Sequence, residues 1–392
     1  MTIADVLRDT PIIDVDSHVT EPPDLWTSRM SARWGDLVPH TVWDAQLGED
    51  RWFVGDIKLP GVGVPSAAGW RDFPPDHPPT IADCDPGSYD SKARLRRLDE
   101  YGVHAQLIYP NILGFFAGAF LATKEPAFML ESVQAYNDFL TEFCAADPNR
   151  LVPLMVLPFW DIEESVREMR RCQANGHKGI VFSPDFERIG FPALPDPHWN
   201  PVLDAAQAND LSINFHIGFA SMASGDFEAI MPEKETFDRA RYAGEVSLYC
   251  LGNARAITTV IVSGLCERFP RLKFVSVESG FGYIPFLMES LDWQWHNNGA
   301  AKDHPGRALP SEVFRRQIYG TFWFERHTLA AIEPWADNIM FETDYPHPTS
   351  LSPGPASSAD LPATMVARNF AGLSDDVARK LLHDTAAHVY NL

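Results

Sequence analysis

Metal-capable side chains stand close together near the start of the chain. Asp14, Asp16 and His18 occupy alternate positions after Ile12 and Ile13, and residues at i, i+2 and i+4 of a pleated strand project from the same face. Burying two carboxylates and an imidazole without partners is unfavourable. A divalent cation would satisfy all three side chains, but so would a hydrogen-bonded, solvated turn. This stretch by itself does not separate the two interpretations.

Further metal-capable side chains stand at the ends of three apolar runs later in the chain. These are His216, Glu278 and Asp344. Each one alone could be a hydrogen-bonded core histidine or a carboxylate that caps a turn. Their repeated occurrence at strand ends favours a shared metal site, because the C-terminal ends of barrel strands meet on one face.

The elements that would position these residues alternate regularly along the chain. One predicted strand starts at Ile12, and the others lie at about 105–109, 151–157, 178–182, 211–216, 272–278, 318–323 and 338–344, with helical segments between them, including a long one at about 245–268. Near-continuous apolar strands are typical of a parallel sheet buried on both faces. Eight such units predict a (β/α)₈ barrel. An open doubly wound sheet is the rival fold, although no glycine-rich phosphate loop follows the first strand.

Residues 22–90 differ from the rest of the chain. Pro-Pro pairs and scattered glycines interrupt any long helix or strand. The segment is nevertheless too aromatic to be disordered, with Trp26, Trp34, Trp43, Trp52, Phe53, Trp70 and Phe73. We predict an ordered insertion over the mouth of the barrel, within a single domain that spans residues 1–392.

Composition excludes some classes of partner. The formal net charge of -21 argues against binding to nucleic acid or an anionic membrane, because both repel an acidic surface. The five cysteines form no CxxC pair, which indicates reduced thiols rather than a disulfide framework. The sequence shows neither a signal-peptide pattern at its start nor an apolar run long enough to cross a bilayer. We therefore expect a cytoplasmic protein.

Four motifs together resemble the metal-dependent amidohydrolase superfamily, and specifically its amidohydrolase 2 branch, which includes aminocarboxymuconate-semialdehyde decarboxylase and resorcylate-type decarboxylases. The motifs are Ile13-Asp14-Val15-Asp16-Ser17-His18, Asn214-Phe215-His216, Glu278-Ser279-Gly280-Phe281-Gly282-Tyr283-Ile284-Pro285 and Glu342-Thr343-Asp344-Tyr345-Pro346-His347. The resemblance covers essentially the whole chain. It implies a (β/α)₈ barrel with a divalent metal held by Asp16, His18, His216 and Asp344.

Two positions depart from the usual pattern of that branch. Asp16 replaces the first histidine of the usual His-x-His motif, as a carboxylate also does in some decarboxylases of the branch. Ser279 stands where the branch usually has a histidine that handles protons, with Glu278 just before it. Glu278 and Asp344 are therefore the candidate catalytic groups, and Glu278 is also a candidate ligand.

The expected cofactor is one or two divalent ions of zinc, manganese or iron. A bound ion lowers the pKa of its water to about 7, and Asp344 or Glu278 could act as the general base. The predicted reaction is hydrolysis or decarboxylation of a small organic substrate that carries a carboxylate. Arg241 and Arg255 could pair with that carboxylate, although we favour ordinary surface ion pairs for both.

Two alternatives stay open. Glu21, His347 and Asp14 could bind a second metal or only orient the ligands, and a carboxylate-rich set suits iron or manganese at least as well as zinc. Members that share the Glu-Ser-Gly form include dinuclear non-haem iron monooxygenases, which would hydroxylate a small carboxylic or amino acid and need an electron-donor protein. The third possibility is a non-catalytic metal-binding subunit of a homo- or hetero-oligomer.

Overall fold

The computed structural model describes residues 9–218 and 236–392, and its centre is a barrel of parallel strands. The strands are β1 (Ile13–His18), β2 (His40–Asp44), β3 (Glu49–Val54), β4 (Ile57–Gly61), β5 (Ala105–Tyr109), β6 (Leu151–Val156), β7 (Gly179–Val181), β8 (Ser212–His216), β9 (Phe274–Val277), β10 (Ile318–Phe322) and β11 (Ile339–Phe341). Eight of these described strands form one sheet in the order β1-β5-β6-β7-β8-β9-β10-β11. The predicted (β/α)₈ barrel is confirmed.

Helices separate the barrel strands. The α-helices of the described residues are Ser91–Tyr101, Ile112–Phe115, Ala117–Ala122, Pro126–Cys144, Ile162–Ala174, Asn200–Ala208, Arg239–Tyr249, Asn253–Val262, Leu265–Arg268, Ile284–Asn297, Ala300–Asp303, Pro310–Gln317, Pro362–Asn369, Asp375–Arg379 and Thr385–Tyr390. The long helical segment predicted at about 245–268 is helical but not continuous. Gly252 and Gly264 separate three shorter helices there, and Gly264 adopts a φ of 82° that an α-helix cannot contain.

The seam between the first and last strands closes the barrel. The backbone N–H of His18 donates to the carbonyl oxygen of Tyr345 at 2.6 Å, and the N–H of Asp344 donates to the carbonyl oxygen of Asp16 at 2.9 Å. Ser17 and Tyr345 form an isolated parallel bridge. Closure therefore brings the motif at the start of the chain against the motif near its end.

The insertion over 22–90 contains a three-stranded antiparallel sheet, β2-β3-β4. Trp26 and Trp52 are buried and their rings meet edge to face, with 5.3 Å between centroids. The indole N–H of Trp26 donates to the carbonyl oxygen of Ser132 at 3.1 Å, which ties the insertion to the helix Pro126–Cys144. That residues 1–392 form a single domain stays a prediction, and these contacts are consistent with it.

Two further expectations concern cysteines and membranes. The five cysteines are unpaired in the structure. Within residues 9–218 and 236–392, no helix combines the length and the apolar composition that crossing a membrane would require.

Candidate metal centre

The C-terminal ends of four barrel strands bring the predicted ligands together. Asp16 and His18 lie on β1, His216 ends β8, Glu278 follows β9 and Asp344 follows β11. The side chains of Asp16, His18, His216 and Asp344 are buried, and that of Glu278 is partly exposed, at 13%. They therefore meet inside one face of the barrel, as the strand-end pattern predicts.

The closest contact joins the two histidines. His18 Nε2 lies 3.0 Å from His216 Nε2, and Asp16 Oδ1 lies 3.5 Å from each of these nitrogens. Asp344 Oδ1 is 3.6 Å from His18 Nε2, and Glu278 Oε2 is 3.5 Å from His216 Nε2. Three overlapping sets have ligand atoms within 4.8 Å of one another, namely Asp16-His18-His216, Asp16-Glu278-Asp344 and His18-Asp344-His347.

Hydrogen bonds on the far side of each imidazole show which nitrogen is available to a cation. His18 Nδ1 lies 3.2 Å from the carbonyl oxygen of Pro110, and His216 Nδ1 lies 2.8 Å from that of Ile217. A carbonyl oxygen only accepts, so each Nδ1 carries the hydrogen and each neutral ring presents a lone pair at Nε2. Two lone pairs that face each other at 3.0 Å need a cation or a proton between them.

Buried carboxylate oxygens that lack hydrogen-bond partners also indicate a bound cation. Both side-chain oxygens of Asp16 and Oδ1 of Asp344 are buried without a hydrogen-bond partner. Leaving such atoms unsatisfied is costly, whereas a bound divalent ion would satisfy them. Two imidazole nitrogens and carboxylate oxygens suit zinc, manganese and iron. The residues present therefore fit the divalent metal that the sequence predicts.

Burial and mutual charge shift the pKa values of the cluster. Burial raises the pKa of Asp344 well above its usual value, and the negative charge of Asp16 adds to the rise. Burial and the charge of Asp344 likewise raise the pKa of Glu278. Burial alone would lower the pKa of His216, but the Asp16 carboxylate outweighs it and raises that pKa to about 9. A divalent cation would oppose these rises, because it favours ionised carboxylates and neutral imidazoles.

Asp14 lies deeper in the barrel than the other side chains of its motif. Its Oδ1 accepts from the backbone N–H groups of Asp16 and Thr343, at 3.2 and 2.8 Å. Its Oδ2 accepts from the Gln106 amide at 2.7 Å and from the Thr343 hydroxyl. With both oxygens occupied by donors, the carboxylate links β1 to the neighbouring strands. This geometry favours an orienting role over metal binding.

Glu21 is also occupied by protein donors. Its Oε1 accepts from the backbone N–H groups of Asn111 and Ile112 at 2.8 and 2.9 Å, at the start of the helix Ile112–Phe115. An acidic side chain is favourable at a helix N-terminus. Glu21 appears in none of the metal-capable sets of the described residues, so the geometry does not favour a second metal at this position.

His347, by contrast, joins the cluster. Its Nδ1 lies 2.8 Å from Asp344 Oδ1, and its ring stacks on that of His18 with 3.7 Å between centroids and 20° between planes. Burial lowers the pKa of His347 to about 3, and the nearby charge of His216 acts in the same direction. A buried neutral imidazole is the form that binds metals.

A cavity of about 150 Å³ opens beside the cluster. Its polar lining includes Asn111, Glu278, His347 and Thr349, whereas its apolar lining comes from the insertion and from helices and includes Pro60, Val64, Phe73, Phe115, Tyr242 and Val246. Residues of the 22–90 insertion thus form part of the wall, where the sequence suggested a cover for the barrel mouth.

Arg241 and Arg255 do not line the cavity. The Arg241 side chain is 69% exposed and lies 4.0 Å from Glu245, and Arg255 is also exposed. Both arginines fit the surface interpretation. Among the described residues that line the cavity there is no lysine or arginine, so a charged substrate group would have to interact with the cluster itself.

Comparison with known proteins places the chain in a family. The family model for amidohydrolases of the amidohydrolase 2 type matches residues 113–392. The chain belongs to this family. A relative from Polaromonas sp. strain JS666, gamma-resorcylate decarboxylase, is 28% identical over 273 residues, which are 64% of this chain and 76% of the relative. The 2-amino-3-carboxymuconate-6-semialdehyde decarboxylase of Dictyostelium discoideum is 26% identical over 282 residues, 69% of this chain and 70% of the relative.

Solved structures share the fold of this amidohydrolase at low sequence identity. An amidohydrolase from Mycobacterium avium subsp. paratuberculosis K-10 superimposes with a TM-score of 0.70 at 20% identity, covering 97% of this chain and 99% of that one. The 5-carboxyvanillate decarboxylase of Sphingomonas paucimobilis gives 0.61 at 22% identity, with 98% and 100% covered. A dihydroxybenzoic acid decarboxylase from Polaromonas sp. JS666, solved with bound manganese, gives 0.61 at 19% identity, with 98% and 97% covered.

The backbone of this amidohydrolase is strained beside the cluster. Glu278 and Asp344 have φ values of 56° and 58°, which residues other than glycine rarely adopt, and such strain concentrates at functional sites. Two carboxylates, one of them buried and the other partly exposed, hold the segment after β9. Glu342 Oε2 accepts from the N–H of Glu278 at 3.2 Å, and Glu325 Oε1 accepts from the N–H of Phe281 at 2.6 Å.

Glu325 lies outside the four motifs of the sequence. Its second oxygen accepts from the N–H of Trp323 at 2.9 Å, so one carboxylate joins two loops that follow neighbouring strands. No motif or periodicity marks such a residue, because its partners are set by the fold. Glu342 lies inside a quoted motif, and its position two residues before Asp344 in the same predicted strand was an available signal.

Glu325→Gln is expected to destabilise the protein. A glutamine amide can accept from only one of the two backbone N–H groups and turns its own NH₂ group towards the other, so a buried donor loses its acceptor. We expect the free energy of unfolding to fall by about 1–3 kcal/mol, measured by denaturant titration. Glu289→Gln at an exposed helix position is the matched control, with a change within about 0.5 kcal/mol. Equal stability of the two variants would contradict the anchoring role.

Proposed function

We propose that this amidohydrolase is a metal-dependent decarboxylase of small acids with an apolar, preferably aromatic, body. The observation that carries the proposal is the position of Glu278, which belongs both to the buried metal-capable cluster and to the wall of the apolar cavity. A substrate in the cavity would therefore meet a proton-bearing group and the cluster together. The relatives described above are named as decarboxylases, which favours carbon–carbon cleavage over hydrolysis.

Asp16, His18, His216 and Asp344 are the residues we assign to the cation. They supply two nitrogens with free lone pairs and carboxylate oxygens that lack hydrogen-bond donors. When bound, the cation supplies a Lewis acid that holds and polarises a substrate carboxylate.

Glu278 is the residue we assign to proton transfer. Decarboxylation breaks the bond between the substrate carbon and its carboxylate, releases CO₂ and places a proton on the carbon left behind. Glu278 Oε2 lies 3.5 Å from His216 Nε2, and Glu278 also lines the cavity, so its carboxyl group can give a proton to a substrate carbon there, as a general acid requires. Water can then return a proton to the carboxylate. Asp344 is the alternative proton-transfer group, because its carboxylate belongs to the same cluster as Glu278.

The cavity limits the substrate. About 150 Å³ is the size of a cavity that holds one benzene molecule, so a single ring fits. The walls are mainly apolar and include Phe115 and Tyr242, which suit an aromatic ring. Since no lysine or arginine of the described residues lines the cavity, the substrate is expected to carry one carboxylate and otherwise neutral groups.

The decarboxylase proposal predicts oxygen-independent CO₂ release. We expect protein reconstituted with Mn²⁺ or Zn²⁺ to convert at least one acid from a panel of mono-carboxylated phenols, with one CO₂ per ring product, under anaerobic conditions. Infrared CO₂ detection and chromatography of the product would measure the reaction. Chelator-treated protein and heat-denatured protein are the controls.

Other outcomes of this experiment would contradict the proposal. Turnover that requires O₂ and a reductant, together with an iron pair, would support the monooxygenase alternative. Cleavage of esters or amides without CO₂ release would support hydrolysis. Metal binding with no turnover of any substrate class by the lone chain, but activity with a related subunit, would support the non-catalytic alternative.

A further inference from the structure

We propose that His347 Nδ1 is an additional metal-binding atom and that Asn111 positions it. The inference rests on the proposed metal centre and extends it, because His347 is outside the four residues that we assign to the cation. It depends on the hydrogen bonds around two buried side chains.

Hydrogen bonds hold both the side-chain amide and the backbone of Asn111. Its Nδ2 donates to the carbonyl oxygen of Val19 at 2.8 Å, and its backbone N–H donates to Glu21 Oε1 at 2.8 Å. With the NH₂ group turned to Val19, the amide oxygen faces His347 Nε2 at 2.7 Å. An amide oxygen only accepts. His347 therefore carries its hydrogen on Nε2 and its lone pair on Nδ1.

That lone pair points at another acceptor. His347 Nδ1 lies 2.8 Å from Asp344 Oδ1, which is buried without a hydrogen-bond donor. His18 Nε2 completes a set of three ligand atoms within 4.8 Å of one another. Two ligands that lie about 2.1 Å from one ion and subtend a right angle are about 3 Å apart. A cation shared by His347 and Asp344 therefore accounts for a contact that two acceptors would otherwise avoid.

Asn111 has the role of the hydrogen-bond acceptor that metal-binding histidines usually have on their second nitrogen. His18 and His216 use backbone carbonyl oxygens for this purpose, whereas His347 uses a side chain. Because a side chain can be replaced by mutation and a backbone carbonyl cannot, the group that positions His347 can be tested. Because Asn111 also lines the cavity, it connects the metal centre to the wall that faces the substrate.

Metal affinity tests the proposal directly. We would titrate the wild-type protein, His347→Gln and Asn111→Leu with Mn²⁺ and follow free Mn²⁺ by electron paramagnetic resonance. We expect His347→Gln and Asn111→Leu to weaken Mn²⁺ binding by about 10- to 100-fold. His177→Gln is the matched control, since His177 is buried and lies 3.0 Å from the Thr141 hydroxyl, outside the cluster. Its affinity is expected to equal that of the wild type.

Nitrogen NMR of the wild-type protein labelled with ¹⁵N-histidine keeps the test decisive if a variant does not fold. Addition of Zn²⁺ should move three histidine nitrogens to metal-bound shifts, two of Nε2 type and one of Nδ1 type. Metal-bound shifts of Nε2 type only, or a folded His347→Gln variant with wild-type Mn²⁺ affinity, would overturn the inference and leave a proton between His347 and Asp344. A wild-type protein that binds neither ion would instead refute the metal centre and the proposed function.

Discussion

His216→Ala and Asp344→Asn are each expected to lower metal affinity by about 100-fold or more and to abolish decarboxylation. Removing the His216 imidazole takes away one of the two facing Nε2 atoms, so His18 would be the only one of the pair still able to bind the cation. Asp344→Asn replaces a carboxylate by a neutral amide whose NH₂ group cannot bind a cation. Elemental analysis after dialysis, together with CO₂ release, measures both effects.

A control variant and melting temperatures accompany these measurements. His296→Ala removes an exposed histidine from a helix and is expected to keep the wild-type metal content and rate. Melting temperatures of the metal-free proteins separate loss of a ligand from loss of the fold, since apo wild type and apo variants should unfold similarly. Wild-type metal content in both His216→Ala and Asp344→Asn would exclude these residues as ligands.

Glu278→Gln is expected to reduce kcat by about 10²- to 10⁴-fold, the usual contribution of a proton-transfer group. Glutamine has nearly the same shape but cannot release a proton to a substrate carbon. We expect metal content to stay at the wild-type level, because Asp16, His18, His216 and Asp344 are unchanged. Single-turnover CO₂ release at saturating substrate would measure the chemical step.

Ser279→Ala is the matched control for this variant. Ser279 stands next to Glu278 and occupies the position where the resemblance suggests a proton-handling histidine. Its hydroxyl is directed to the carbonyl oxygen of Val277 at 3.4 Å, so we expect little change in kcat. A wild-type rate in Glu278→Gln would leave Asp344 as the proton donor. Loss of metal from Glu278→Gln would show instead that Glu278 is a ligand, which was its other predicted role.

The sequence by itself predicted the barrel and the residues at its strand ends. Strand ends at Asp16, His216 and Asp344 could be located because apolar runs of strand length stop there, and the meeting of such ends is a property of every closed parallel barrel. The contact between β1 and the segment after β11 followed from that topology. Predicting that these residues meet required only their positions at the ends of predicted strands.

Only the tertiary structure distinguished residues whose local sequences look alike. Glu21 and His347 both stand beside prolines, and both were candidates for a second metal. The Glu21 carboxylate is occupied by backbone N–H groups about 90 positions away, whereas His347 is turned towards Asp344 by Asn111, 236 positions away. Which polar atom satisfies a buried group depends on the neighbours that the fold supplies. The candidate groups were therefore evident from the sequence, while the hydrogen-bond partners that favour metal binding at one and an orienting role at another are visible only in the structure.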